Sequence, residues 1–320
     1  MNPTKIIKRH IPIGDPKKLP QQEGLLSASE DAREGLIVPE LIMKYGDQSK
    51  GNGLSQKRSV LPTMMKTLYQ MKRSYSSLKN NPKDSKVDAT PEFIQELKDY
   101  GRSLGVTAMG FTDVESKDIF KGRSVLFNKA IVITMEMREE PIRNAPSEAT
   151  QKEIFRTYHG LGVIVNHIAN FLRNHGYQAQ AGPALGGDAI YPVLGEKAGL
   201  GAIGKHGLLI SPECGPRQRI AAIYTNIENL PISKENSHGW IKDFCDKCGK
   251  CVRKCPGEAI YTTPIEHTDG GKICVDYKKC AVPFSNSYGC TVCIRECAFN
   301  TRTYEELKHQ VEFKKTKESL

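Results

Sequence analysis

Nine of the ten cysteines in this 320-residue chain lie after residue 240. Their spacings are typical of metal ligands, whereas disulfide frameworks belong to small secreted domains. The run Cys245-x2-Cys248-x2-Cys251-x3-Cys255-Pro256 has the spacing of the bacterial ferredoxins. Its first three thiolates can wrap one 4Fe–4S cube, and the fourth, placed before a proline that turns the chain, points towards a second cube. The run therefore predicts two clusters and a redox protein.

Four distal cysteines are available to complete the two cubes. In the arrangement of two-cluster ferredoxins the sets cross along the chain, because the last cysteine returns to the first cube. The expected sets are Cys245, Cys248, Cys251 and Cys297 for the first cube, and Cys255, Cys280, Cys290 and Cys293 for the second. Cys274 lies six residues before Cys280 and is an alternative ligand. Zinc ribbons are the other alternative, although this run does not divide well into two closed four-ligand sites.

The stretch Gly199-Leu200-Gly201-Ala202-Ile203-Gly204 matches the dinucleotide pattern G-x-G-x-x-G. That fingerprint needs a strand before it, a helix after it and an acidic residue about 20 positions further on. Here Glu196-Lys197-Ala198 precedes the stretch, the strand-like Leu208-Leu209-Ile210 follows it, and no acidic residue lies close to position 224. We therefore expect these glycines to let a large planar or charged ligand approach the backbone.

The composition indicates a folded protein without a membrane span. Hydrophobic residues make up 38% of the chain, charged residues 26%, and no apolar run approaches the ~18 residues of a membrane helix. Residues 1–20 lack an apolar signal segment and a twin-arginine signal, so we expect a cytoplasmic protein. Residues 1–88 hold 16 Lys and Arg against 9 Asp and Glu, and so carry most of the net charge of +10. We interpret them as a solvated basic arm, with a nucleic-acid-binding arm as the alternative.

Periodic apolar residues predict the elements that position these groups. Leu61–Leu78 carries an apolar stripe at helical spacing and is expected to pack on the body of the protein. A second helix should begin at the N-cap Thr90, and a long one should cover about 151–174 and end at Gly176. Strands are predicted at 106–111, 130–135, 177–181, 207–210 and 219–225, and a last helix at 304–317.

This order of elements predicts an α+β protein. We divide the chain into a basic N-terminal arm with one amphipathic helix (1–88), a mixed helix and strand domain (89–239), a cysteine domain (240–302) and a C-terminal helix or tail (303–320).

Two blocks of the sequence resemble the corrinoid-dependent reductive dehalogenases and their relatives, the epoxyqueuosine reductases. The first is Gly195-Glu-Lys-Ala-Gly-Leu-Gly201 with Gly204-Lys-His-Gly-Leu-Leu-Ile-Ser-Pro-Glu-Cys-Gly-Pro-Arg-Gln-Arg219. The second is the cysteine block, which closes with Tyr288-Gly-Cys290-Thr-Val-Cys293-Ile-Arg-Glu-Cys297-Ala-Phe-Asn300. The resemblance covers about residues 90–302 and places both blocks in the family's order.

The resemblance implies a corrinoid held between a nitroreductase-like α+β domain and a two-cluster ferredoxin-like domain, whose clusters pass electrons to cobalt. In this sequence the cofactor-binding positions would fall in the glycine-rich motifs. They are Gly199, Gly201, Gly204, Lys205, His206, Gly207 and Gly215.

The resemblance also implies a proton donor. The dehalogenases that this sequence resembles have a tyrosine about 19 residues before a Gly-Tyr pair that ends a long helix. In this sequence Tyr158 lies 19 residues before Tyr177 of the pair Gly176-Tyr177. Their cationic partner corresponds to Arg219, and a guanidinium beside a phenol makes the phenol a better acid. Tyr158 also falls on the apolar stripe of its helix, so a core tyrosine is the alternative. Asp188 is a further candidate acid, by a displaced match to the epoxyqueuosine reductases.

We therefore predict a cytoplasmic iron–sulfur, corrinoid-dependent reductase that cleaves a carbon–halogen or related bond of a small molecule. Reduced ferredoxin or flavodoxin is the expected electron donor. One alternative is an epoxyqueuosine-type reductase acting on tRNA, which a basic arm would suit. Another is a non-catalytic, ferredoxin-like electron carrier.

Overall fold

A computed structural model describes residues 19, 25–35, 38–46, 58–233 and 235–318. Much of the basic arm predicted over 1–88 lies outside these residues, and so does most of its charge. Within the described ranges, no helix is long and apolar enough to cross a membrane.

The body of the protein is built on a four-stranded antiparallel sheet, whose strands lie side by side in the order Ala108–Asp113, Lys129–Glu136, Gln218–Thr225 and Ala179–Ala181. The strands at its centre are the most buried, with Ile131 and Ile133 fully enclosed. Up to its last strand the body contains β1 (Leu26–Ser27), α1 (Val38–Tyr45), α2 (Leu61–Ser76), α3 (Pro91–Ser103), β2 (Ala108–Asp113), β3 (Ser124–Val125), β4 (Lys129–Glu136), α4 (Glu139–Arg143), α5 (Glu148–Asn174), β5 (Ala179–Ala181), α6 (Tyr191–Lys197), β6 (Ala202–Ile203), β7 (Leu209–Ile210) and β8 (Gln218–Thr225).

Local signals at the helix ends act as the sequence predicts. The Thr90 hydroxyl accepts a hydrogen bond from the backbone N–H of Phe93 at 3.2 Å, which caps α3. The long helix α5 stops before Gly176, whose φ of +90° is a conformation that favours glycine. Because the backbone groups at these ends find partners, the predicted positions of both helices are confirmed.

Helix α2 packs on the body, against α5, as predicted, but only part of its apolar stripe is buried. Met71 and Leu78 of the stripe are buried, whereas Leu61 and Met65 are 48% and 58% exposed. The buried face also carries the polar residues Thr67, Gln70 and Ser74, and the side-chain amide of Asn166 on α5 donates to the Gln70 carbonyl at 3.1 Å.

The two faces of the sheet carry different helices. Met135 of β4 pairs with Arg219 of β8, and the Met135 side chain lies against Gly160 of α5. Side chains alternate between the faces along a strand. Val132, three positions before Met135 on β4, therefore points to the other face, and it pairs with Gly110 of β2. Gly110 lies against Ala198, which follows α6. Arg219 therefore points to the face that α5 covers, and α6 covers the opposite face.

The cysteine-rich part packs across one edge of this body. Its elements are α7 (Trp240–Cys248), α8 (Lys250–Arg253), β9 (Ile260–Glu266), β10 (Lys272–Val275), α9 (Tyr277–Asn286), α10 (Val292–Arg295), α11 (Ala298–Thr301) and α12 (Tyr304–Glu318). Ala202 and Ile210 of the body share an apolar cluster with Ile241 and Phe299. A second apolar cluster joins Met137 of the body to the α10 region.

The hairpin β9–β10, which the sequence analysis did not predict, separates the two halves of the cysteine motif. Asp269 at its turn is 1% exposed in its side chain and accepts from Arg33 Nε at 2.7 Å. A segment near the N-terminus is thereby tied to the cysteine-rich part.

Glu153, in the second turn of α5, is hydrogen-bonded to Arg138, which precedes this helix, and to Arg156 within it, and the contribution of these bonds to stability can be measured. Its side chain is fully buried and accepts from the Arg138 backbone at 2.7 Å and from Arg156 Nη2 at 2.6 Å. Burial alone would raise the pKa of Glu153, but the hydrogen bonds from Arg156 and Arg138 outweigh it and hold the pKa below its usual value. We predict that Glu153→Gln lowers the free energy of unfolding at pH 7 by about 2 kcal/mol, measured by urea denaturation.

The contribution of Glu153 should also depend on pH. Because its folded-state pKa is lowered, the stabilisation is complete at neutral pH and is lost as the pH falls below the usual ~4.3 and through the lowered value. The difference between wild type and Glu153→Gln should shrink accordingly. As a control, Glu148→Gln removes an exposed ion pair with Lys152 and should cost less than about 0.5 kcal/mol. A larger effect at Glu148 than at Glu153 would contradict the assignment.

Candidate iron–sulfur centre and cofactor cavity

The first cysteine set surrounds a small cavity between α7, α8 and α11. Helix α7 ends at Gly249, whose φ of +54° turns the chain directly into α8. That turn brings Cys251 back towards the end of α7, and Cys297 approaches from the start of α11. The four cysteines that line the cavity are Cys245, Cys248, Cys251 and Cys297.

The surroundings of this set disfavour free thiolates. Burial raises the pKa of Cys245 to about 12, and neighbouring Cys251 and Cys248 act in the same direction. Backbone N–H groups point at the sulfurs, that of Lys205 at Cys245 and that of Phe299 at Cys297. Such an arrangement stabilises sulfurs that carry negative charge only when a positive metal offsets the burial.

The second cysteine set is also brought together by the fold. Burial raises the pKa of Cys280 to about 11, and the next largest influences are the charges of Cys290 and Cys255. Cys293 lies within electrostatic reach of Cys280 and Cys290. The chain therefore crosses in the way expected from its spacing, since Cys255 leaves the first loop and joins the distal cysteines.

Cys274, the alternative to Cys280, occupies a different place. It lies on β10, and the charged groups that act on it are Arg33, Lys272 and Glu196, among others, rather than the thiols of the second set. The side chain lines a large cavity that is described below.

The loop around Cys290 is held in an uncommon backbone conformation. Tyr288, Cys290 and Thr291 have φ values of +49°, +50° and +65°, and Gly289 between them has +83°. Non-glycine residues seldom adopt positive φ, and such strain is typical of functional sites. Gly289 lies against Ile154 of α5, so this loop lies one helical turn from Tyr158. The described part of the chain contains no group of three His, Cys, Asp or Glu side chains that is arranged to hold a single metal ion.

A cavity of about 1280 Å³ lies beside the first cysteine set, on the α6 side of the sheet. Its walls are α6, the β9–β10 hairpin and the segment 204–208. Four of the predicted cofactor-binding residues line it: Gly204, Lys205, His206 and Gly207.

Three other predicted cofactor-binding residues do not line this cavity. Gly201, with a φ of +152°, lies against the backbone of Ile210, and Gly215, with +58°, lies against the carbonyl of Phe299. Gly199 adopts a φ of +72° after α6. At Gly201 and Gly215, glycine is needed because any side chain would collide with the adjacent backbone.

The small and the large cavity share a wall. Lys205, His206 and Cys245 line both. The Lys205 ammonium is 3.2 Å from the carboxylate of Asp246. His206 is 4% exposed, its Nδ1 accepts from the Leu208 N–H at 3.2 Å, and its Nε2 has no hydrogen-bond partner among the described residues. Burial lowers the pKa of His206 to about 4, which keeps the imidazole neutral.

Tyr158 and Arg219 are neighbours in the structure. The guanidinium carbon of Arg219 lies 4.2 Å from the centroid of the Tyr158 ring, over its face. Arg219 Nε is buried and has no hydrogen-bond partner within the part of the chain that the structure describes. A guanidinium over an aromatic face is an attractive cation–π contact. The pair lies on the α5 face of the sheet, and neither residue lines the large cavity. The two side chains are therefore neighbours, but neither lines the cavity that the predicted glycine-rich residues line, although both were expected to face the cofactor cavity.

Asp188 lies in an interior network. It is fully buried, and it accepts from the Tyr75 hydroxyl at 2.6 Å and from Gln180 Nε2 at 3.4 Å. Burial, followed by the charge of Asp188, raises the pKa of Tyr75 well above its usual value. These hydrogen bonds hold the Asp188 carboxylate in the interior of the protein, and it does not line the large cavity.

Sequence reasoning missed the contribution of the hairpin to the large cavity. Thr262, Asp269 and Lys272 all line it. A usable signal was Asp269-Gly270-Gly271, since Asp-Gly between alternating apolar residues is a strong hairpin signal.

Comparison with known proteins adds to this geometry. A family model for a 4Fe-4S binding domain matches residues 238–261. A tetrachloroethene reductive dehalogenase of Desulfitobacterium hafniense is 32% identical over 194 residues, covering 57% of this chain and 34% of that protein. An epoxyqueuosine reductase of Leadbetterella byssophila is 30% identical over 179 residues, covering 51% of this chain and 55% of that protein.

The fold has a likeness among solved structures. A catabolic reductive dehalogenase in complex with 3-bromo-4-hydroxybenzoic acid superimposes with a TM-score of 0.66 at 19% identity, over 91% of this chain and 45% of that one. The chain spans about a third of the length of the first dehalogenase and less than half of the superimposed structure. The resemblance predicted from the two sequence blocks is confirmed: this chain, with its 4Fe-4S binding domain, is a relative of the reductive dehalogenases and the epoxyqueuosine reductases.

Proposed function

We propose that the protein is a corrinoid-dependent reductase in which two 4Fe–4S clusters deliver electrons to a cofactor in the large cavity. The observation that carries the proposal is the wall that Cys245 shares with both cavities. A cluster bound by the first set would lie directly against the cofactor cavity. Since electron transfer needs close approach, this adjacency is what a cluster-to-cofactor path requires.

The thiols suit two clusters. Eight cysteines fall into two sets of four, and backbone N–H groups approach their sulfurs, as at Cys245 and Cys297. A cube presents four separate irons, so its ligands need not converge on one point as those of a zinc ion must. The described residues lack a site for a single metal ion, as noted above, and this does not conflict with the binding of a cubane cluster.

The large cavity suits a large cofactor. Its volume of about 1280 Å³ exceeds the roughly 300–1,000 Å³ of ordinary ligand sites. Gly204 and Gly207 line it, and so do Lys205 and His206. Lys205, His206 and the two glycines would hold the corrinoid. When bound, a corrinoid supplies a cobalt centre that accepts electrons and reduces a carbon–halogen or related bond.

Tyr158 and Arg219 are proposed as the acid that completes the reduction, which requires the reacting carbon to reach the α5 face of the sheet, where this pair lies. A carbon that has lost its halide needs a proton, and near neutrality a phenol keeps its proton and can donate it. The Arg219 guanidinium over the ring holds the Tyr158 side chain in place through a cation–π contact. The contact of the Cys290 loop with Ile154 brings the second cysteine set close to this side of the sheet. Since Asp188 is enclosed with Tyr75, we do not propose it as the donor.

The proposed partners are a small halogenated molecule and a reduced ferredoxin or flavodoxin. All ten cysteines are unbridged, which suits a reducing compartment such as the cytoplasm.

An epoxyqueuosine-type reaction on tRNA is the second candidate. It is favoured by relatives of that name at 30–33% identity. Tight tRNA binding that weakens steeply with salt would support it, because phosphate contacts release counterions.

Metal content tests the clusters. Anaerobically purified protein should contain about eight irons and eight sulfides per chain, measured by colorimetric assay and mass spectrometry. Cys255→Ser should lower the iron content by roughly half, because the second set loses a ligand. Cys274→Ser is the matched control and should leave the iron unchanged. About four irons in the wild type, or stoichiometric zinc, would refute the two-cluster proposal.

Cofactor binding has its own readout. Cobalamin added to the iron-loaded protein should be retained on gel filtration and show the absorbance of the form whose nucleotide base has left the cobalt. NAD should not be retained, because the glycine-rich stretch lacks the strand and helix of a dinucleotide site. Retention of NAD without cobalamin would reverse the assignment.

The acid is tested by Tyr158→Phe. Halide release from tetrachloroethene or 3-bromo-4-hydroxybenzoate should fall by about 10²-fold or more, with iron and cobalamin content unchanged. Tyr69→Phe, at an exposed tyrosine of α2, is the control and should retain full turnover. Normal halide release by Tyr158→Phe would leave Tyr158 as a packing residue.

A further inference from the structure

We propose that His206 donates a hydrogen bond from Nε2 to the first cluster and thereby raises its reduction potential. The inference rests on the proposed function, since it requires a cluster in the first cysteine set. It assigns a specific role to one residue in the wall between the two cavities.

The protonation of the ring follows from its contacts. Nδ1 of His206 accepts a hydrogen bond from the Leu208 N–H at 3.2 Å, so Nδ1 carries a lone pair and no proton. In a neutral imidazole the proton then lies on Nε2, which becomes a donor. That nitrogen is buried and has no partner among the described residues. Since an unsatisfied buried donor costs free energy, a missing acceptor is expected at this point.

The ring lines both cavities, and the small one supplies sulfurs that can accept its hydrogen bond. His206 lines the small cavity, where the other side chains are cysteines, two phenylalanines, an alanine and two lysines. Only the cysteine sulfurs among these can accept a hydrogen bond. The preceding residue already contacts the set, because the Lys205 backbone N–H points at the sulfur of Cys245. The segment 204–207 is therefore held against the sulfurs, with the His206 ring beside them.

The consequence concerns electrons only. A 4Fe–4S cluster takes up one electron from the donor protein and passes one electron on, and the proton of His206 stays on Nε2 throughout. Added negative charge on the sulfurs strengthens the hydrogen bond, so the reduced state gains more than the oxidised state. Hydrogen bonds to sulfur are one of the factors that set cluster potentials.

Potentiometric titration of the first cluster, followed by electron paramagnetic resonance, tests this role. In His206→Phe, which removes the donor, the midpoint should shift to a more negative potential while the iron content stays at the wild-type value. In His206→Gln, whose amide can donate, the midpoint should return towards wild type. His309→Phe, at an exposed histidine of α12, is the control and should not move it.

The outcomes separate the alternatives. An unchanged midpoint in an iron-replete His206→Phe protein would overturn the proposal. So would an unchanged midpoint together with an altered cobalamin spectrum, because the donor would then serve the cofactor. If His206→Phe loses iron, His206→Leu serves as the donor-free variant: a midpoint more negative than that of the wild type supports the hydrogen bond, and an unchanged midpoint refutes it. A wild-type protein with fewer than two clusters would instead count against the proposed function.

Discussion

The crossing of the two cysteine sets constrains the rest of the structure. Cys255 follows Cys251 by only four residues, yet it lies with cysteines that come much later in the chain. Cys297 must return to the first loop, and it brings Phe299 to pack beside Trp240 and Phe244. The apolar cluster formed in this way attaches the cysteine-rich part to β6 and β7 of the body. The position of both cavities follows from that attachment.

The sheet separates two groups of residues that the sequence had joined in one site. The segment 204–207 and the large cavity lie on the α6 side, beside the first cysteine set. Tyr158 and Arg219 lie on the α5 side, near the loop of the second set. One cysteine set is thus associated with each face, and the proposed proton donor lies across the sheet from the proposed cofactor cavity.

Patterns of short range predicted the structure well. The Thr90 cap, the stop at Gly176 and the strands of the main sheet depend on local backbone geometry, which the sequence encodes directly. The cysteine spacing predicted which thiols meet, because each set needs four converging sulfurs. The buried face of α2 was predicted only in part, since Asn166 lies about 100 residues away in the chain and its hydrogen bond to Gln70 cannot be read from helical periodicity. The bond between Arg33 and Asp269 was missed for the same reason.

The central claim is that two iron–sulfur clusters occupy the two crossed cysteine sets. Anomalous diffraction from anaerobic crystals, recorded at the iron and zinc absorption edges, tests it most directly. Two iron peaks should appear, one in the small cavity within bonding distance of Cys245 and Cys297, the other within bonding distance of Cys255 and Cys280. A single iron peak, a zinc signal at either place, or Cys297 bound to the second peak would contradict the account.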